Sequence, residues 1–136
     1  PWDRYNFAWA VLSALARGET FRACANAVVS PTYVPDLCHA VLDLLIDGER
    51  GIWHLANEGA LTWQAFARAV AEAAGLDPAR IEAAPGGPAR VNVLASARGQ
   101  MLRPLDHAIA DFAAAMRGHP ELPFAEDEPA LLQAAE

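Results

Sequence analysis

The chain has 136 residues, 54% hydrophobic and 20% charged, a composition that can bury the core of one domain and excludes a disordered polymer. Its formal net charge is −7, but Glu121, Glu126, Asp127, Glu128 and Glu136 crowd into the last 18 residues without a basic neighbour, leaving a near-neutral body with no clustered basic surface for nucleic acid. No apolar run approaches the ~20 residues of a membrane helix, the N-terminus lacks a signal-peptide pattern, and Cys24 and Cys38 are too few for a disulfide framework, so a cytoplasmic chain with reduced thiols is expected.

Pro1–Tyr5 opens without methionine in what reads as the middle of a loop, so the chain is expected to be a fragment. Asn6 can cap a helix running to about Arg17, with Phe7, Val11, Leu12 and Leu15 on one face and Gly18 ending it. Phe21 to Val29 is mixed, and only its second half reads as a strand. Val28-Val29 leads into Ser30-Pro31-Thr32-Tyr33-Val34-Pro35, a segment that two prolines hold extended. Asp36 then stands where an N-cap belongs. Leu37, Val41, Leu44 and Leu45 predict a buried face, while Asp36, His39, Asp43 and Asp47 take the solvated one.

Gly48 ends that helix, and Gly51 to Ala56 reads as a short buried strand, giving the order β, loop, α, β. Leu61 and Phe66 flank a Thr62 N-cap as a hydrophobic staple, predicting a helix from Trp63 to Ala74 that stops at Gly75. Arg80 to Ala83 reads as a strand before the turn Pro85-Gly86-Gly87-Pro88, and residues 84–103 as one long connection of the kind that often binds something. Leu105, Ile109, Phe112 and Met116 recur at helical spacing, so a last helix spans about Asp106 to Arg117 and stops at Gly118. Cys24, Cys38, His39 and His54 lack metal-ligand spacing, and no metal site is expected. Trp53 and Trp63 have apolar neighbours and read as core.

The run VVSPTYVPDL through GIWHLAN, preceded by PWDRYNFAWAVLSALARGE and followed by TWQAFARAVAEAAG and Arg103-Pro104-Leu105, resembles the later part of the extended short-chain dehydrogenase/reductase family. The likeness is strongest to its dTDP-4-dehydrorhamnose reductase branch and covers about residues 1–116. It implies an α/β fold of about four helices with a few short, mostly parallel strands. Residues 1–118 would be the sugar-nucleotide-binding C-terminal portion, and 119–136 an acidic, proline-containing tail. The parent would reduce a 4-keto sugar nucleotide with NAD(P)H.

That chemistry needs a glycine-rich strand-to-helix turn for the cofactor pyrophosphate and a Tyr-xxx-Lys pair for proton transfer. Gly86-Gly87 is flanked by prolines, and all ten basic residues are arginine, so this portion alone is expected to be inactive, to bind no cofactor and to depend on a missing N-terminal half. Apolar surface left by absent strands predicts dimers or larger species. A second reading is a non-catalytic sugar-nucleotide-binding module within a larger fusion.

By resemblance, Asn6 faces the nucleotide diphosphate at a helix N-terminus and Arg103 grips it through a planar guanidinium; the plainer readings are an ordinary N-cap and a solvated surface arginine. Ser30 and Thr32 are placed beside the active-site cleft, against the plainer reading that their hydroxyls satisfy the turn backbone. Where the branch usually shows Asp-Gln, this chain has Asn26-Ala27, which leaves a polar substrate contact there unsupported.

Overall fold

The structure, a computed structural model, describes residues 6–84, 88–117 and 119, so Pro1–Tyr5, most of the Pro85–Pro88 turn, Gly118 and the acidic tail lie outside the described residues. Four helices, α1 (Phe7–Ala16), α2 (Val34–Ile46), α3 (Trp63–Ala73) and α4 (Leu105–Met116), alternate with five short strands, β1 (Phe21–Cys24), β2 (Ala27–Val29), β3 (Leu61–Thr62), β4 (Ile81–Ala84) and β5 (Arg90–Asn92). The expected α/β class stands.

Local signals place α1, α3 and α4. The Asn6 side chain accepts the Trp9 N–H at 3.2 Å and the Thr62 hydroxyl accepts the Ala65 N–H at 3.1 Å, each satisfying a first-turn amide that the helix leaves unpaired. Gly18 and Gly75 close α1 and α3 at φ 74° and 75°, a conformation that costs a side chain-bearing residue. Leu12, Val70, Ala108 and Ile109 join these three helices in one buried cluster, and Val11, Ala67, Ala71 and Ile81 join α1 and α3 to the β1/β4 pair in a second.

Strand pairing brought the first departures from expectation. Phe21–Cys24, read as irregular, is β1, parallel to β4 with Phe21 opposite Ile81 and Arg22 opposite Glu82. Its alternation is short and interrupted by exposed Arg22, whose Nε meets Glu82 at 3.0 Å across the strands. Within the 84–103 connection, β5 runs parallel to β2, while Leu61-Thr62 pairs antiparallel to the other edge of β2.

The central unit differs more. Helix α2 begins at Val34 with Tyr33 as N-cap, because proline is tolerated in a first turn where its missing N–H has no partner to lose. Asp36 is therefore inside the first turn and is not a cap. The expected buried face of α2 is largely open: Ala40 is its one buried residue, while Leu45 and Ile46 are 70% and 81% exposed. Gly51–Ala56 forms no strand. Ile52 is 82% exposed, and no neighbouring strand among the described residues supplies the ladder that would define one.

Candidate functional site

A cleft of about 680 Å³ lies between the start of α1, the β2–α2 segment, α3 and α4. Its walls are mostly apolar. Phe66, Ile109 and Phe112 line one part, Thr32 and Tyr33 another, and Asn6 stands at the rim where α1 begins. Phe7 anchors the aromatic wall, stacked on Phe66 with ring centroids 5.7 Å apart and tilted against Trp63 at 4.5 Å. Such a surface can take a flat ring by stacking, and the unpaired amides and dipole of a helix N-terminus favour negative charge.

Behind the Tyr33 wall is a polar knot that joins distant parts of the chain. Arg103 Nε donates to both oxygens of Asp36, at 3.1 and 2.9 Å, and Nη2 lies 2.8 Å from Asp111 on α4. Asn57, only 2% exposed, donates to Asp36 Oδ2 at 2.7 Å and to the Arg103 carbonyl at 3.1 Å, and accepts the Tyr33 N–H at 2.8 Å. The Arg103 guanidinium also sits 5.9 Å from the Tyr33 ring centroid.

These contacts settle the ionisation of the knot. Burial pushes the Asp36 carboxyl up, but hydrogen bonds from Arg103 and Asn57 and the nearby positive charge outweigh it and hold the carboxyl below its ordinary value. Hydrogen bonds to Asp36 and Asp111 raise the Arg103 guanidinium above its ordinary value, so it is a fixed cation. A carboxylate with a lowered folded-state pKa contributes stability in full above its unfolded value of about 3.9 and loses it as pH falls through the lower folded value. A carboxyl NMR titration should therefore give Asp36 a midpoint below that of an ordinary aspartate. A midpoint above that would show that burial dominates the ion pair.

Of the residues singled out by sequence, the fold brings Asn6 and Thr32 to the cleft. Ser30 instead accepts the Leu94 N–H at 2.9 Å, fastening the turn to the segment after β5. Arg103 is 36% exposed and held by two carboxylates, so it is neither a free surface arginine nor a lining residue. Sequence reasoning passed over Asn57, whose signal was a polar residue closing an apolar run, and Asp111, which looks like any polar position of an amphipathic helix. Arg98 crosses the Trp53 ring at 4.0 Å and pairs with Glu49 at 2.8 Å, which makes Trp53 partly an arginine platform. Among the described residues no group of three or more His, Cys, Asp or Glu side chains is placed to hold a metal ion, and no helix is long and apolar enough to cross a membrane.

Residues 3–101 match the model of the RmlD substrate binding domain. The chain is 35% identical over 74 residues to the spore coat polysaccharide biosynthesis protein SpsK of Bacillus subtilis, covering 54% of this chain and 26% of that protein. It is 51% identical over 53 residues to dTDP-4-dehydrorhamnose reductase of Mycobacterium tuberculosis, covering 38% of this chain and 17% of the reductase. Its fold is similar to that of a dTDP-4-dehydrorhamnose reductase from Clostridium acetobutylicum, with TM-score 0.70 and 18% identity over 85% of this chain and 45% of that one. A reductase from Bacillus anthracis, determined in complex with NADP, matches with TM-score 0.67 and 20% identity over 81% of this chain and 42% of its own. The chain thus spans less than half the length of these relatives.

Proposed function

The chain belongs to the family of RmlD substrate-binding domains, and from that premise we propose that it is the sugar-nucleotide-binding portion of an NAD(P)-dependent reductase of 4-keto sugar nucleotides. The observation that carries this reading is the cleft, which pairs an aromatic wall suited to a base or sugar face with a helix N-terminus suited to a diphosphate. Asn6 and Thr32 contact the ligand in this reading, Ser30 orders the turn beside it, and Arg103, held by Asp36 and Asp111, braces the Tyr33 wall from behind. Residues 1–118 make up the binding portion and 119–136 a tail.

In this reading the chain itself holds no nicotinamide cofactor. The junction from β2 into α2 carries Pro31 and Pro35, and β3 runs directly into α3, so neither offers a glycine-rich turn that lets a pyrophosphate approach backbone amides. The cofactor and the proton donor would come from the rest of the parent, which in this reading also packs on the exposed apolar residues of α2 and on Ile52.

Titrating the purified chain with dTDP and with UDP should show saturable binding, while NADPH mixed with the chain and a dTDP-4-keto sugar should be oxidised no faster than in a no-protein control. Flat titrations with both nucleotides would overturn the binding assignment. Oxidation above the control would overturn the assignment of the chemistry to the rest of the parent.

A further inference from the structure

Asn57 is the one fully buried polar side chain among the described residues, and an amide that deep is costly unless each of its groups is partnered. Its three bonds reach three segments: the Tyr33 amide on the cleft wall, Asp36 in the first turn of α2, and the carbonyl of Arg103 just before α4. The neighbouring backbone tightens the same junction. Glu58 N–H donates to the Arg103 carbonyl at 3.1 Å, and Leu105 N–H donates to the Glu58 carbonyl at 2.9 Å. Tyr33 and Leu105 both line the cleft, on segments that Asn57 and Glu58 tie together, while Asn57 itself stays behind the wall.

The match is specific to an amide. One acceptor meets one N–H and two donors meet two oxygens, so an isosteric carboxylate would keep the Tyr33 bond but oppose Asp36 and the Arg103 carbonyl, and an apolar side chain would leave the Tyr33 N–H without its acceptor and take one donor each from Asp36 and the Arg103 carbonyl. We infer that Asn57 is a positioning residue for the cleft: by holding Tyr33, Asp36 and Arg103 together it fixes the wall formed by Thr32 and Tyr33 against α4, and with it the affinity for the ligand. This rests on the reading that the cleft takes a sugar nucleotide.

The test uses the full-length protein with Asn57→Ser, Asn57→Asp and the double variant Asn57→Asp/Asp36→Asn, reading dTDP affinity and amide hydrogen exchange. Both single variants are expected to weaken dTDP binding at least tenfold and to accelerate exchange at Tyr33 more than tenfold, while amides around Leu12 and Val70 keep their protection. The double variant reverses the 36–57 hydrogen bond, with an amide at 36 donating to a carboxylate at 57, and should recover part of the lost affinity. If the serine variant does not fold, the isosteric aspartate pair carries the comparison.

Equal loss of protection at Tyr33, Leu12 and Val70 would overturn the inference, since Asn57 would then stabilise the whole fold without setting the wall. Unchanged dTDP affinity beside selective opening at Tyr33 would also overturn it. Should the wild-type protein not bind dTDP, the ligand assignment fails separately, and the exchange pattern alone then supports the clamp if selective and overturns it if uniform.

Discussion

Leu12→Ala is expected to destabilise the chain by about 3 kcal/mol, within the roughly 2 to 5 kcal/mol measured when a buried leucine is truncated. Leu12 is fully buried and belongs to the cluster that joins α1, α3 and α4 through Val70, Ala108 and Ile109. Removing its isobutyl end forfeits the transfer free energy of burial and leaves a void that three helices, each held by its own hydrogen-bonded backbone, close only in part. The same helices supply walls of the cleft, so looser packing should also lower affinity for any ligand held there. The check is a denaturant melt: the midpoint should fall with an unchanged slope. A loss under about 1 kcal/mol would mean that the three-helix junction collapses around the gap, and that the cleft walls are less rigid than the packing implies.

Arg103→Ala is expected to weaken dTDP binding by roughly tenfold, because the Tyr33 wall of the cleft loses the guanidinium that ties Asp36 to Asp111 behind it. Arg103→Lys should fall between, because a point charge on a flexible stem keeps the attraction and loses the two-bond planar grip. The structure adds a second consequence. The guanidinium is shared by Asp36 and Asp111, and Asp36 is 13% exposed, so alanine leaves a mostly buried carboxylate with the Asn57 amide as its remaining hydrogen-bond donor. Its pKa should rise toward the ordinary value or above, and the melting temperature should drop with it. Nucleotide titrations and melts of the three proteins separate the two effects. Overlapping dTDP curves accompanied by a lower melting temperature would make Arg103 the ionic centre of the knot with no part in fixing the cleft wall.

Much of the site's material was visible in the sequence while its arrangement was not. Asn6 and Thr32 stood out because a capping residue and a proline-rich turn leave local marks, and both line the cleft. Arg103 stands out through Arg-Pro-Leu, yet its partner Asp36 lies 67 residues away and reads locally as a cap. Asn57 carried only a weak local mark: an asparagine after Leu55-Ala56 reads like the end of any apolar run, and only the approach of Tyr33, Asp36 and Arg103 gives it a function.

By itself the sequence determined all four helices, because caps, closing glycines and 3.6-residue periodicity act through bonds between residues three or four apart, while turn punctuation marked the strand near Ile81 and the order of motifs carried the family likeness. The tertiary structure alone decided that Phe21–Cys24 is a strand, that Gly51–Ala56 is not, that the apolar side of α2 stays exposed, and that Asp36 joins Arg103. A strand gains nothing until a partner satisfies its amides and carbonyls, as Ile81 does for Phe21 across 60 residues. A helix face or a carboxylate likewise acquires its role only from what the chain brings against it.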